Sequence, residues 1–282
     1  SLPAGRSHPG LPAGSFSAYD FAIQNIGVKI IRVETIEELK DALGPKTAMI
    51  KLSGGNLVPG PMSLEVIATI AKPLNIPILA DAAAEILTIP NVHLQNGATM
   101  VAYSGGKAIC GPQCAGLLLG PKNILMSAWQ ASSPHHGPGR DNKVGREETL
   151  GMLAAVETWV KMDHAAREKN WMNWVNVIAK RVSGIESVKS TIREPEGINN
   201  RSASLSISWD PEKLHLSSAE LIQELISSKP RITVGGGRST DSGMASISIN
   251  ASQMQPGQDK IVGDKIFELL SKKRSPKVEA SM

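Results

Sequence analysis

Cysteine is nearly absent. The chain has two, Cys110 and Cys114, too few for a disulfide scaffold. Four positions apart and without a histidine beside them, they make a poor zinc site, so no metal is expected. They read as reduced, small apolar residues of a cytoplasmic protein. No run of 18 apolar residues and no signal peptide occurs, so nothing points to a membrane or to export. A strong charge of one sign is missing as well: the net charge is +4. The one basic block, Ser-Lys-Lys-Arg at 271–274, reads as a solvated tail and not as a nucleic-acid patch. Aromatic residues make up only 4% of the chain. Two of them, Trp171 and Trp174, lie in a helical pattern and read as packing residues, not base-stacking ones.

What is present belongs to a globular protein. The 282 residues are 41% hydrophobic and 20% charged, with 26 glycines and 18 prolines for turns. That length suits one large domain or two modest ones. Residues 1–14 hold six Gly or Pro, a density that breaks helices and strands, so 1–18 are expected to form an irregular arm. The first residue is Ser1, which suggests a processed or truncated piece.

From residue 28 apolar runs alternate with amphipathic ones. Val28–Val33, Thr47–Leu52, Ile76–Asp81, Ala98–Ser104 and Ala115–Gly120 read as strands. Thr35 opens a helix with Glu38 three residues on, and Ser63 opens another. Strands this apolar, alternating with helices, predict an α/β fold whose mostly parallel sheet is covered on both faces. Ligands of such sheets bind at the carboxyl ends of the strands. Asp81 ends one strand and Ser104 another. After about residue 145 a long helical pattern begins, with Leu150, Leu153, Val156, Trp159 and Val160 on one face. A strand at 203–209, a helix from Ser217, strands at 231–236 and 244–250 and a last helix from about 259 to 271 complete a smaller α+β unit. The polar loop 132–143 marks the boundary. The predicted organisation is an arm at 1–18, a partial large domain at 19–144, and a long helix with a small domain at 145–282.

Between two of the predicted strands stands "YSGGKAICGPQCAG", residues 103–116. A single lysine, Lys107, follows two glycines and is expected to be at least partly buried. Taken alone it reads as a surface turn residue, but its neighbours change this. A desolvated lysine amine can form a Schiff base with an aldehyde. Pyridoxal phosphate uses that chemistry and needs three things more: a carboxylate for the ring nitrogen, donors for the phosphate, and a small apolar surface against the ring. Asp81 supplies the first, 26 residues before Lys107. Ser104, with the backbones of Gly105 and Gly106, offers the second, and Ala82, Ala83 and Ala84 the third.

"ADAAAE" followed by "YSGGKAICGPQCAG" resembles the aspartate and lysine motifs of fold-type I pyridoxal-phosphate enzymes. More narrowly it resembles their selenocysteine-synthase-like group, which holds the selenium transferases and the D-glucosaminate-6-phosphate ammonia lyases. The similarity runs from about Tyr19 to Lys272. The resemblance implies that Lys107 is the Schiff-base lysine, Asp81 the partner of the ring nitrogen and Ser104 a phosphate contact. It also implies that the turn Gly111-Pro112-Gln113 shapes the site, with Ala83 and Gln113 among the cofactor contacts. Arg140 and Lys143 match a pair of basic positions that the selenium transferases carry as arginines before a long helix, and Arg231 lies where such enzymes often bind a carboxylate. His135 and His136 read as loop residues.

Two departures qualify the match. Selenium transferases carry an acidic residue where this chain has Gly106, which favours the related lyases. A long N-terminal stretch of the family, with its phosphate loop and the tRNA-binding domain of the selenium transferases, is not matched. The chain is therefore expected to be a fragment that binds the cofactor poorly by itself, and tRNA is not an expected partner. The resemblance implies a pyridoxal-phosphate-dependent lyase acting on a small anionic amino acid or amino sugar acid, assembled as a homodimer or higher homo-oligomer. An aminotransferase, a selenium transferase and a truncated non-catalytic homologue are the alternatives.

Overall fold

A computed structural model describes residues 19–53, 57, 59–236 and 243–272; the arm expected at 1–18 lies outside the described residues. The chain divides into two compact units. The first runs up to Met162 and includes Ile198–Asn200; the second holds Asp163–Gly197 and the residues from Arg201 onward. Among the described residues no helix is long and apolar enough to cross a membrane.

The first unit opens with α1 (Asp20–Gln24) and α2 (Ile36–Ala42). Thr35 caps α2 by accepting the Glu38 N–H, as its sequence position predicts. Strands β1 (Ile50–Ser53), β2 (Ile78–Asp81), β3 (Met100–Ser104) and β4 (Gly116–Leu119) form one sheet in that order. α3 (Leu64–Ala71), capped by Ser63, links β1 to β2, and the short α4 (Val92–Gln95), capped by Asn91, precedes β3. The first three strands are parallel, and β4 runs antiparallel to β3. A parallel pairing of β3 with β4 would need a crossover of about a dozen residues or more, and the tight Gly/Pro turn between them leaves only a hairpin return. α5 (Lys122–Gln130) and α6 (Arg146–Lys161) follow. Ile50, Leu52, Ile78, Ala80 and Val101 form the centre of a core that α3 covers with Leu64, Ile67 and Ala71.

Three expectations change here. Among the described residues, 28–33 join neither sheet; Val33 is buried, but Ile31 is 40% exposed. The long helix breaks after Lys161, because Asp163 turns its carboxylate back onto the Ala166 N–H and starts a new helix. On α6 the apolar face is met only in part: Trp159 is buried in the core of the first unit and Val156 packs against it, as expected, but Leu150, Leu153 and Val160 are exposed and Met152 is buried instead. The Trp159 indole N–H donates to the Leu87 carbonyl at 2.8 Å. Thus α6, assigned by sequence to the C-terminal domain, packs with the first unit.

The second unit contains α7 (His164–Val182), β5 (Val188–Arg193), β6 (Ser204–Trp209), α8 (Pro211–Leu214), α9 (Ser218–Ile226), β7 (Gly235–Gly236), β8 (Ala245–Asn250) and α10 (Gln258–Ser271). Its sheet is antiparallel, in the order β5-β6-β8-β7. Leu205, Ile207, Trp209, Ile247 and Ile249 alternate inward and meet Val175, Ile178, Leu221, Leu225 and Ile266 of the helices. Trp171 is buried and Trp174 packs against the same core, as packing residues should. The strand expected at 231–236 shrinks to its last two residues, since the Ile232 N–H goes to the Leu225 carbonyl at the end of α9 and not to the sheet.

Candidate functional site

The parallel register fixes the site's edge. Ser53 pairs with Asp81, and Asp81 with Ala102, so β1 and β2 end together and β3 runs two residues further, to Ser104. Adjacent strands lie about 4.8 Å apart. Asp81 is therefore on the strand beside the one that leads through Ser104 into the Lys107 turn, as the sequence reading places them.

Asp81 is held from two sides. Its Oδ1 accepts the Ala83 N–H at 3.3 Å, and its Oδ2 lies 3.1 Å from the ammonium of Lys51 on β1. The Asp81 side chain remains 30% exposed and that of Lys51 13%. Lys51 escaped the sequence reading, which took Thr47–Leu52 only as a strand. The available signal was one lysine within an apolar strand next to a strand ending in aspartate.

The turn after β3 is built on close backbone approach. Gly105 is buried; its N–H donates to the Ala115 carbonyl at 2.9 Å, and its own carbonyl accepts the Gly111 N–H at 2.7 Å. A β-carbon there would lie 2.7 Å from the carbonyl oxygens of both Ala115 and Pro112. Gln113 donates from Nε2 to the Gly106 carbonyl at 3.3 Å, which braces the turn from across the hairpin. Ser104 is half-buried at the end of β3, opposite Gly116.

Lys107 itself differs from expectation. It is exposed, and among the described residues its ammonium makes no hydrogen bond or ion pair. The fold offers a stiff platform for this lysine but does not bury it. Cys110 and Cys114 are free and exposed, and the Cys110 thiol donates to the Ala108 carbonyl at 3.6 Å.

Below the loop that follows Asp81 lies a buried polar group. Glu85 contacts His93 of α4, and Asn91 donates from Nδ2 to the Tyr103 hydroxyl at 2.8 Å. Burial, the largest influence, pushes the Tyr103 hydroxyl above its ordinary pKa; Asn91 opposes this and the charge of Glu85 adds to it. The same loop is flanked by Ile198–Asn200: the Ile86 N–H donates to Ile198, and the Asn200 N–H to Ala84. Neither arrangement was legible from residue order.

The remaining predicted residues are dispersed. Arg140 turns back on its own loop, donating to Ser133 Oγ at 2.9 Å and to the Pro134 carbonyl at 3.2 Å. Lys143 is exposed in that loop. Arg231 belongs to the second unit, where with Arg193 it lines a cavity of about 820 Å³ floored by Ile249, Met254 and Ile261.

The residues at the strand edge fit pyridoxal phosphate. Asp81 is an accessible carboxylate suited to a protonated ring nitrogen, Lys107 a free amine, Ser104 a hydroxyl donor, and the half-buried Ala83 and Ala84 a small apolar surface.

Comparison with known proteins agrees with this fit. Residues 16–144 match the aminotransferase class-V family model. The chain is 27% identical to D-glucosaminate-6-phosphate ammonia lyase of Salmonella typhimurium over 161 residues, 56% of this chain and 41% of that protein. It is 25% identical to 5'-C-glycyluridine monooxygenase-decarboxylase of a Streptomyces species over 208 residues, 73% of this chain and 49% of that one. The chain thus spans less than half the length of either curated relative. Among solved structures it superposes on a D-glucosaminate-6-phosphate ammonia-lyase with a TM-score of 0.66 at 22% identity, covering 86% of this chain and 64% of that one.

Proposed function

We propose that this chain, an aminotransferase class-V domain at residues 16–144 on the fold of type I pyridoxal-phosphate enzymes, serves a pyridoxal-phosphate-dependent elimination from a small anionic amino acid or amino sugar acid. The observation that carries the reading is the common edge: Asp81 ends β2, and Ser104 and Lys107 end and follow its parallel neighbour β3. A relative named for an anionic amino sugar acid supports the substrate class. Gly106, where selenium transferases carry an acid, favours a lyase over selenocysteine synthesis.

Bound pyridoxal phosphate supplies an electron sink for the carbon beside the substrate's amine. Asp81 would hold the ring nitrogen's proton, with Ala83 under the ring, and Ser104 would donate to the phosphate. Lys107 Nζ would hold the aldehyde carbon and, once free, take the proton from the substrate's α-carbon. Gln113 would fix the turn that carries Lys107. Arg140 and Lys143 are proposed contacts for the substrate's anionic group, and Arg231 for an anion in the cavity of its own unit. A second copy of the chain is the proposed partner.

Adding pyridoxal phosphate should produce a visible absorption band, and borohydride reduction followed by peptide mapping should label Lys107. Label on another lysine sinks the assignment. With D-glucosaminate 6-phosphate, ammonia release supports a lyase. Amino transfer to a 2-oxo acid would indicate an aminotransferase, and neither product a non-catalytic homologue.

A further inference from the structure

The register of β1 and β2 sets Lys51 beside Leu79, on the face of the sheet that Asp81 shares two residues on. Its ammonium is 3.1 Å from Asp81 Oδ2, on a side chain only 13% exposed. Among the described residues this is the one ion pair that Asp81 makes. From the other neighbouring strand Asp81 faces Ala102, and the next acid along the chain, Glu85, is turned to His93. A lysine this enclosed is costly unless paired, so the arrangement commits Lys51 to Asp81.

We infer that Lys51 is a positioning residue for the ring nitrogen of pyridoxal phosphate: it holds the Asp81 carboxylate in place, and its fixed charge makes that nitrogen release its proton more readily than Asp81 alone would allow. The inference rests on the reading of Asp81 as the ring nitrogen's partner. Two cations on one carboxylate disfavour each other. In a partly exposed site this repulsion is well screened, and it lowers protonation of the ring about tenfold. Lys51 therefore weakens the electron sink and competes with the cofactor for Asp81. It is a control on reactivity built into the sheet and not a group that touches substrate.

The test uses the full chain with pyridoxal phosphate labelled with nitrogen-15 in the ring, at one near-neutral pH. Ring-nitrogen chemical shift and cofactor affinity are compared for wild type, Lys51→Met, Lys51→Gln, Lys51→Arg and Asp81→Asn. The two neutral Lys51 variants should move the shift toward the protonated form and bind about tenfold tighter, by the charge argument. Lys51→Arg, which keeps the charge, should stay near wild type, and Asp81→Asn should move the shift the other way. If Asp81→Asn moves the signal and the neutral Lys51 variants do not, the role of Lys51 is overturned while that of Asp81 stands. If, at saturating cofactor, Asp81→Asn leaves the signal unmoved, the reading of the site falls and the inference with it. Lys51→Gln keeps the test decisive should Lys51→Met fail to fold.

Discussion

His93 Nε2 lies 2.5 Å from Glu85 Oε2, and the two side chains are 1% and 7% exposed. The pair fastens the loop following Asp81 to α4. His93 Nδ1 is buried with no hydrogen-bond partner among the described residues, so this histidine depends on Glu85 for its polar contact. Removing one partner strands the other in the core. Glu85→Ala should lower stability by about 2–4 kcal/mol, read from urea unfolding. Unchanged stability would show that the pair is not formed in solution.

Gly105→Ala probes the turn that carries Lys107. Its β-carbon would lie 2.7 Å from two backbone carbonyl oxygens and 2.8 Å from Met152 Sδ. Backbone cannot step aside as a flexible side chain can, so the hairpin between β3 and β4 must shift. The expected result is a loss of about 2 kcal/mol or more, together with loss of borohydride labelling at Lys107. Normal labelling in a folded variant would show that the turn tolerates the shift.

Asp81→Asn separates stability from function. The pair with Lys51 is partly exposed, so its loss should cost only about 1–2 kcal/mol and leave the fold intact. Cofactor uptake and turnover should fall steeply, because a neutral amide cannot neutralise a protonated ring nitrogen. Full turnover in this variant would remove Asp81 from the site.

Tyr103 gives a pH dependence with a defined sign. Its hydroxyl is raised above the ordinary value of 10.0, first by burial and then by Glu85, against the hydrogen bond from Asn91. The folded chain therefore keeps a proton that the unfolded chain loses. The stabilisation is complete below about pH 10 and is lost as pH rises through the raised value. Unfolding followed from about pH 9 to 11 should show stability declining in wild type and declining less in Tyr103→Phe. Parallel curves would exclude Tyr103 as the cause.

The sequence determined the local elements and the chemistry they carry. Thr35, Ser63 and Ser217 cap helices because a side-chain oxygen two or three residues before a free N–H is a local matter. Asp81, Ser104 and Lys107 could be placed on one edge because parallel strands end on the same side, which follows from their order alone. Tertiary structure decided what depends on neighbours. Helical spacing puts Leu150, Leu153, Val156, Trp159 and Val160 on one stripe but cannot say how much of it is covered; packing buried Trp159 together with Met152, which lay off the stripe, and left Leu150, Leu153 and Val160 exposed. Among the described residues the strand-like run 28–33 joins neither sheet. Lys51 and Asp81 are 30 residues apart in the chain; only the register of β1 on β2 brings their charges together, because a single-residue slip would turn one side chain to the opposite face.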